Sequence, residues 1–478
     1  MHLNLDGLHQ QVEPYEHLCE FNTLSFDLHP RFKAILETRR EVISSAEVEY
    51  KRMYNHYGVN VVMSGGGKPR QGVALPVDCS YSGCRPFWHR LRHESLSSLG
   101  GKMSTTPNRL VLEGVPRIGF YKSDLRCPED IPFPSVMRTL MEYFKEEDFG
   151  CRSCRSIPPG CKIPCSYAAF IGFSGVASFL NWKPGWDMDN VEFMYMSDDP
   201  EAPFRRAFQA TGYEYKAHGM VNGRDNRAFF RQQIVESIQR GRPVLAFGPI
   251  GPPESAIVSG YDKKGEILVG WSFFQDSPDF NAGVSFEPSG LFRKSDWFDY
   301  KPEFSCIIIG EKKAQPPLAE SYRRALEWML QVARTPITFG NRHNGIAAYA
   351  AWAEHILQDG DFPNDEATLR QRHDVHNNVV GMVAEARWYG AQFLVQAASS
   401  DILPFNMTSD LLHAAAYYAL EHELMWKLWN LAGGNGNPNA YRTFADPAVR
   451  RQMASVIKQS QENSASAAKA IERALSRK

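Results

Sequence analysis

Four closely spaced cysteines are the first residues in the sequence whose types could do chemistry. The segment CRSCRSIPPGCKIPC contains Cys151, Cys154, Cys161 and Cys165. A Cys-x2-Cys pair with two further thiols could bind zinc tetrahedrally, and the Pro-Pro-Gly turn would let the chain fold back. Structural zinc sites usually separate their two pairs by about a dozen residues or more, so this spacing favours separate thiols. Zinc, the one cofactor suggested, remains the weaker alternative.

Cys165 is the best candidate nucleophile, because it directly precedes the apolar segment SYAAFIGF, which predicts a helix. The amino end of a helix stabilises a thiolate and lowers the pKa of the thiol. The alternative is a half-buried structural cysteine, which is the commoner role. Cys165 cannot readily be both a nucleophile and a zinc ligand.

Three further residues are candidate catalytic partners. Glu254 follows two prolines and precedes an apolar segment, so burial in a pocket would raise its pKa and suit it to acid–base work or to anchoring an amine. Asp276 could orient a partner group, as the third member of a triad does. His218 is the only histidine between residues 106 and 312 and could supply an imidazole. Exposed turn, loop and surface positions are the alternatives for all three.

Histidine and glutamate side chains also recur in the helical C-terminal region. His373 and His376 are three residues apart, and helical bundles can bind metals through facing His and Glu residues. The remaining members of the set are Glu385, His413, Glu421, His422 and Glu423. The pattern lacks a Glu-x-x-His pair, so we interpret these residues as the polar faces of helices.

The elements that must position these residues divide the chain into three parts. Residues 1–105 are an N-terminal extension whose order the sequence leaves open. Residues 106–312 begin with helical patterns, the first with Ser135 as its expected N-cap, and continue with the strand patterns PVLAFG, SAIVSGYD, GEILVGWSF and FSCIIIGE. Residues 318–478 show helical periodicity in five segments, which predicts an all-α helical bundle. The expected class is α+β followed by this bundle.

Three segments carry a resemblance to a known family: SYAAFIGFSGVASF, GRPVLAFGPIGPPESAIVSGYD and ILVGWSFFQD. They resemble the N-terminal domain of the butirosin biosynthesis protein H family, a group similar to papain-like proteins and to bacteriocin-processing cysteine peptidases. The resemblance implies a papain-like fold and transfer of an acyl group from a carrier-protein thioester to an amine. It also implies a cysteine near Phe133 and a histidine at position 254. This chain has neither, since Glu254 replaces the histidine.

Two classes of function are consistent with this resemblance and with the missing cysteine and histidine. The first is an acyltransferase or amide-bond enzyme with altered catalytic residues, acting on a small molecule or an acyl thioester. The second is a catalytically degenerate papain-like scaffold that binds a small molecule or a protein partner. A zinc-supported interaction module is a weaker third possibility.

The composition limits the kinds of partner that the protein is expected to bind and indicates its cellular compartment. The 478 residues are 43% hydrophobic and 12% aromatic, which is enough for sizeable cores, and the net charge of −1 gives no general attraction to nucleic acid. No apolar run reaches the length of about 18 residues that a membrane span needs. Nine cysteines, an odd count, and the absence of a signal-like N-terminus favour a reduced, cytoplasmic protein. The oligomeric state stays open.

Overall fold

The structure is a computed structural model that describes residues 106–120, 129–149, 165–219, 227–298, 304–399, 402–434 and 437–477. The predicted N-terminal extension at 1–105 lies outside the described residues. Helices and an antiparallel sheet are both present, so the expected α+β class is confirmed at that level. Among the described residues, no helix is both long and apolar enough to cross a membrane.

The helices and strands follow one another in a mixed order. The helices are α1 Pro132–Tyr143, α2 Ser166–Ser174, α3 Ala202–Thr211, α4 Arg227–Gln239, α5 Leu318–Arg334, α6 Ile346–His355, α7 Glu366–Ser399, α8 Thr408–Leu431, α9 Ala440–Ala445 and α10 Pro447–Ser476. The strands are β1 Leu110–Val111, β2 Asn181–Trp182, β3 Tyr213–His218, β4 Val244–Phe247, β5 Ser255–Asp262, β6 Ile267–Trp271, β7 Val284–Phe286, β8 Phe292–Lys294, β9 Ser305–Lys312, β10 Ile337–Thr338 and β11 Arg342–Asn344.

The main sheet is antiparallel and has the order β3-β9-β4-β5-β6-β8-β7, with β1 beside β5. Its central strands β4, β5, β6 and β9 coincide with the four predicted strand patterns. These strands read as continuous apolar runs because both faces of the sheet are covered. Leu245 and Ile257 belong to the core that contains α1 and α2, whereas Val244 and Val258 belong to the core under α4.

Helix α1 begins earlier than its sequence pattern predicts. The helix starts at Pro132 with Ile131 in the capping position, so the prediction of Ser135 as the N-cap is wrong. Prolines suit the first turn of a helix, where an N–H group has no partner within the helix. The Ser135 hydroxyl instead donates a hydrogen bond to Glu129 at 2.7 Å.

The C-terminal region is not all-α as predicted, because strands β10 and β11 lie within it and form a small sheet with β2. Its helices follow their predicted segments and pack on one another, α7 on α8 and α8 on α10. They also share a core with the sheet region. Phe170 and Phe173 of α2 lie in the same hydrophobic cluster as Phe393 of α7 and Leu411 of α8. Strand β2 pairs with β11, which adds backbone hydrogen bonds across the expected boundary between residues 312 and 318. Packing is therefore continuous across that boundary.

Candidate functional site

The start of α1 is the place where the resemblance expects a nucleophilic cysteine. Phe133 occupies it and is fully buried, with its ring 4.7 Å from Phe204 and 5.6 Å from Phe193. Phe204 lies 5.5 Å from Phe247, the last residue of β4, which is paired with Ser255 at the start of β5. The fold therefore brings the starts of α1 and β5 into one neighbourhood, and phenylalanine rings fill the space between them.

The amino end of α1 is closed by side chains from α2 and α7. The Tyr167 hydroxyl accepts a hydrogen bond from the Ile131 N–H at 3.1 Å, and Glu385 accepts one from the Asp130 N–H at 2.7 Å. Tyr167 in turn donates to Glu385. Burial, and then the charge of Asp130, hold the pKa of Glu385 well above its usual range. The partial positive charge at the amino end of α1 is thus already occupied by the carboxyl group of Glu385.

Glu254 lies in the turn between β4 and β5, directly before the first residue of β5. Burial raises the pKa of its carboxyl to about 7, and the Ser255 N–H donates a hydrogen bond that opposes this shift. The Glu254 N–H donates to the Pro252 carbonyl at 2.6 Å, which tightens the turn. A carboxyl group with this pKa changes charge near neutral pH and is suited to exchanging a proton with a ligand.

An aromatic rim borders the Glu254 turn. We define it as Phe120, Phe273, Phe274 and Phe280, whose rings form edge-on contacts of 5.1 to 5.4 Å. Gly251, which has a φ of 77°, lies in the Glu254 turn and close to the rim. A Cβ atom at this position would be 3.0 Å from the ring of Phe274. The side chains of Phe120 and Phe280 are 39% and 40% exposed. Two of the four rings are thus partly exposed to solvent at this turn.

Asp276 lies in the same loop as the aromatic rim, between Phe274 and Phe280. Its carboxylate forms an ion pair with Arg117 at 3.5 Å, and the Arg117 guanidinium lies 5.6 Å from the centre of the Trp271 ring. The structure therefore brings the loop of Asp276 beside the turn of Glu254. At this position Asp276 is the ion-pair partner of an arginine, Arg117.

Cys165 occupies the capping position of α2, as predicted, but its side chain is in the hydrophobic core. The residue is only 5% exposed. It lies near Tyr322 of α5, whose pKa is raised by burial and then by the cysteine. A nucleophile must meet its substrate, and this thiol is covered by packed side chains.

His218 ends β3 on the opposite face of the sheet from Cys165. It pairs across the strands with Cys306, which belongs to the core under α4, and its ring lies 5.1 Å from Phe229. Neighbouring residues directly across antiparallel strands point to the same face. The structure therefore does not bring His218 and Cys165 together.

The zinc alternative involves residues that are mostly not described. Cys151, Cys154 and Cys161 lie outside the described residues, so their meeting with Cys165 stays a prediction. Within the described ranges, no group of three or more His, Cys, Asp or Glu side chains is placed to hold a metal ion.

The interpretation of the C-terminal histidines and glutamates as exposed polar faces is wrong for several of them. Glu421 and Arg387 are fully buried and form an ion pair of 2.6 Å. His376 is also fully buried, with its ring 4.8 Å from Phe444 and 5.4 Å from Trp352. Residues with helical spacing face the core or the solvent alike, and only the packing decides which.

Comparison with known proteins adds no relative. A scan against models of protein families finds no match to this sequence, and a search of curated proteins finds none.

Two features of this region were not predicted from the sequence. The first is the aromatic rim, although FFQDSPDF contains three phenylalanines beside the strand pair. The second is a pair of Arg-Arg dipeptides, in FRRAF of α3 and YRRAL of α5. Two adjacent cations on each of two helices are a signal that sequence reading could have used.

Proposed function

We propose that this chain is a cytoplasmic protein with a papain-like domain that binds an amine-bearing small molecule at the Glu254 turn without a cysteine nucleophile. The nearness of the starts of α1 and β5 supports the papain-like arrangement. The buried Phe133 and the buried Cys165 support the absence of cysteine chemistry.

The observation that carries the proposal is the half-buried Glu254 carboxyl, with a pKa raised to about 7, in a turn that contacts the partly exposed aromatic rim. A carboxylate attracts an ammonium group by charge, and aromatic faces attract the same cation through their quadrupoles. An ammonium that docks beside Glu254 favours the ionised carboxylate, so its binding releases a proton below pH 7. The site therefore selects a cation with an apolar or aromatic body.

Benzylamine is the probe for this proposal, and benzyl alcohol is its neutral counterpart. Calorimetric titration of the full chain at pH 6, in two buffers of different ionisation enthalpy, measures both affinity and proton release. We expect saturable binding of benzylamine and a loss of about tenfold or more in affinity in Glu254→Gln. The matched control is Asp279→Asn, which removes an exposed carboxylate from the same rim loop. Equal affinity for both probes, or for both variants, contradicts the proposal.

A second candidate function is direct acyl transfer onto the bound amine, and the pKa of Glu254 near 7 favours it. The bound ammonium first releases one proton to solvent, and the neutral amine nitrogen then attacks the thioester carbonyl, so a C–N bond forms and the C–S bond breaks. The Glu254 carboxylate accepts the proton from nitrogen and returns it to the departing thiolate. No bond to the protein forms in this route.

Release of thiol from a short-chain acyl thioester, in the presence of benzylamine, measures this reaction. We expect the amide product and the thiol in equal amounts, with the rate lost in Glu254→Gln and kept in Cys165→Ala. If Cys165→Ala abolishes turnover while Glu254→Gln does not, the cysteine route of the family applies instead. If no amide forms while benzylamine still binds, the binding function stands without the transfer.

A further inference from the structure

A shallow groove that encloses about 20 Å³ lies between α3 and α5. On α3 it is lined by Arg206 and Gln209, which helical spacing puts on the opposite side of the helix from Phe204. Phe204 belongs to the ring cluster near α1 and β5, so the groove is separate from the Glu254 turn. Its apolar wall includes Phe173 of α2.

The groove has an excess of positive charge. The neighbouring arginines are neutralised: Arg205 pairs with Asp199, and Arg324 pairs with Glu320. Arg206 instead stacks its guanidinium over Trp328, 5.0 Å from the ring centre. Burial lowers the pKa of Arg206, and the charges of Arg205 and Arg324 lower it further. Among the described residues, Arg206 is therefore the cation of the groove that has no ion-pair partner.

Ser321 is the second, independent sign of a ligand. It lines the groove from the first turn of α5, is only 4% exposed, and its hydroxyl has no hydrogen-bond partner within the described part of the chain. Buried hydroxyl groups in proteins are almost always paired, because an unpaired one loses its bonds to water without replacement. An acceptor atom bound in the groove would restore that bond.

The amino end of helix α5 adds to the preference of the groove for an anion. Its capping residue is Pro317, and no side chain caps its first N–H groups. The amino end of a helix of this length carries a partial positive charge that stabilises anions. The charge on Glu320, in the first turn, is already paired with Arg324.

We infer that the groove between α3 and α5 is a binding site for an organic oxyanion, a phosphate monoester or a carboxylate on an apolar body. Arg206 holds the oxyanion oxygens in the forked geometry that a guanidinium group offers, and Ser321 donates its hydroxyl proton to one of them. The apolar part of the groove's lining, which includes Pro316 and Ala325, contacts the apolar body. This site is independent of the Glu254 turn and of the function proposed for it.

Calorimetric titration of the full chain with phenyl phosphate, benzoate and benzyl alcohol tests the inference. We expect saturable binding of at least one of the two anions, weakened by salt, and none of the alcohol. The two anions distinguish the phosphate from the carboxylate form of the ligand. Arg206→Gln is expected to weaken binding by about tenfold or more, and Arg206→Lys by less, because the point charge remains.

Ser321→Ala separates ligand binding from a structural role. Removal of an unpaired buried hydroxyl is expected to leave the melting temperature of the unliganded protein unchanged or higher, while it weakens binding of the anion. Arg323→Gln, on the same helix but outside the groove, is the matched control and is expected to bind normally. Absence of saturable binding by both anions, or equal binding in Arg206→Gln and Arg323→Gln, overturns the inference.

Discussion

At the scale of single residues, the molecule places ionisable groups where burial changes their chemistry. Glu254 has a carboxyl pKa of about 7, far above its ordinary value of 4.5. His376 has an imidazole pKa of about 3, below its ordinary value of 6.5, and both shifts have burial as their main cause. Each residue is therefore held in its neutral form at a pH where its unfolded counterpart is charged, which links stability to pH.

Glu254 makes the protein less stable as pH rises. Below about pH 4.5 the carboxyl is protonated in both states, so the contribution of Glu254 is fully present there. Between about pH 4.5 and 7 the unfolded chain loses its proton while the folded protein keeps it, and the free energy of unfolding falls by up to about 3 kcal/mol. We expect Glu254→Gln to remove this fall in urea unfolding at a series of pH values. Exposed Glu113→Gln is the control, and an unchanged slope in Glu254→Gln contradicts the prediction.

His376 acts in the opposite direction. As pH falls from about 6.5 to 3, the unfolded chain binds a proton that the buried imidazole refuses, so the free energy of unfolding decreases. His422, with a pKa lowered to about 4 by burial, adds to this loss. We expect His376→Phe to flatten the acid side of the stability profile, measured by thermal unfolding from pH 7 to 4. The half-buried His355→Gln is the control, and a profile as steep as that of the parent rules the interpretation out.

At the scale of secondary-structure elements, a buried ion pair ties the C-terminal helices to the sheet region. The Arg387 guanidinium of α7 bonds the Glu421 carboxylate of α8 at 2.6 Å and donates to the backbone carbonyl of Ala177 at 2.6 Å. The Tyr349 hydroxyl of α6 also donates to Glu421. One network thus fixes three helices and the turn that follows α2. Charges without access to solvent depend on one another in this way.

Removal of one partner of this pair is expected to lower the free energy of unfolding more than removal of both. Glu421→Leu leaves the Arg387 charge buried and should lower the free energy of unfolding by about 3–5 kcal/mol. Glu421→Leu combined with Arg387→Met should be less destabilised than the sum of the two single variants. Urea unfolding of all four proteins gives the coupling energy directly. A coupling near zero would mean that the pair does not hold these helices together.

At the scale of the whole molecule, the sheet region and the helical region share one core. Phe393 of α7 stacks on Tyr322 of α5 at 5.0 Å and meets the edge of Phe173 of α2 at 5.6 Å. These side chains come from both sides of the boundary expected at residues 312–318. Domains that bury a large apolar surface against each other unfold together rather than independently.

The substitution Phe393→Ala tests whether the sheet region and the helical region unfold together. We expect a loss of about 3–5 kcal/mol and a single transition, seen equally by far-UV circular dichroism and by tryptophan fluorescence. Hydrogen exchange should accelerate in β9 as well as in α8. Phe405→Ala, which truncates a side chain that is 74% exposed, is the control and should change little. Two separate transitions, or faster exchange in the helices alone, would show that the regions are independent.

Local sequence patterns determined the elements of this protein. The strands β4, β5, β6 and β9 and the long C-terminal helices follow their predicted segments, because period, turn residues and chain direction are local properties. Gly212 ends α3 in the left-handed conformation, as a glycine at that point predicts. The neighbourhood of Glu254 and Asp276 followed from the adjacency of their strands.

Only the tertiary structure decided which side chains lie inside and which meet. Glu421 and His376 read as exposed polar residues, yet they are buried, since the same helical spacing fits either face. The separation of His218 from Cys165 depends on a register that puts them on opposite faces of the sheet. The groove at Arg206 joins helices that are far apart in sequence. Burial and pairing arise from contacts between distant segments, and these contacts are not encoded in any local pattern.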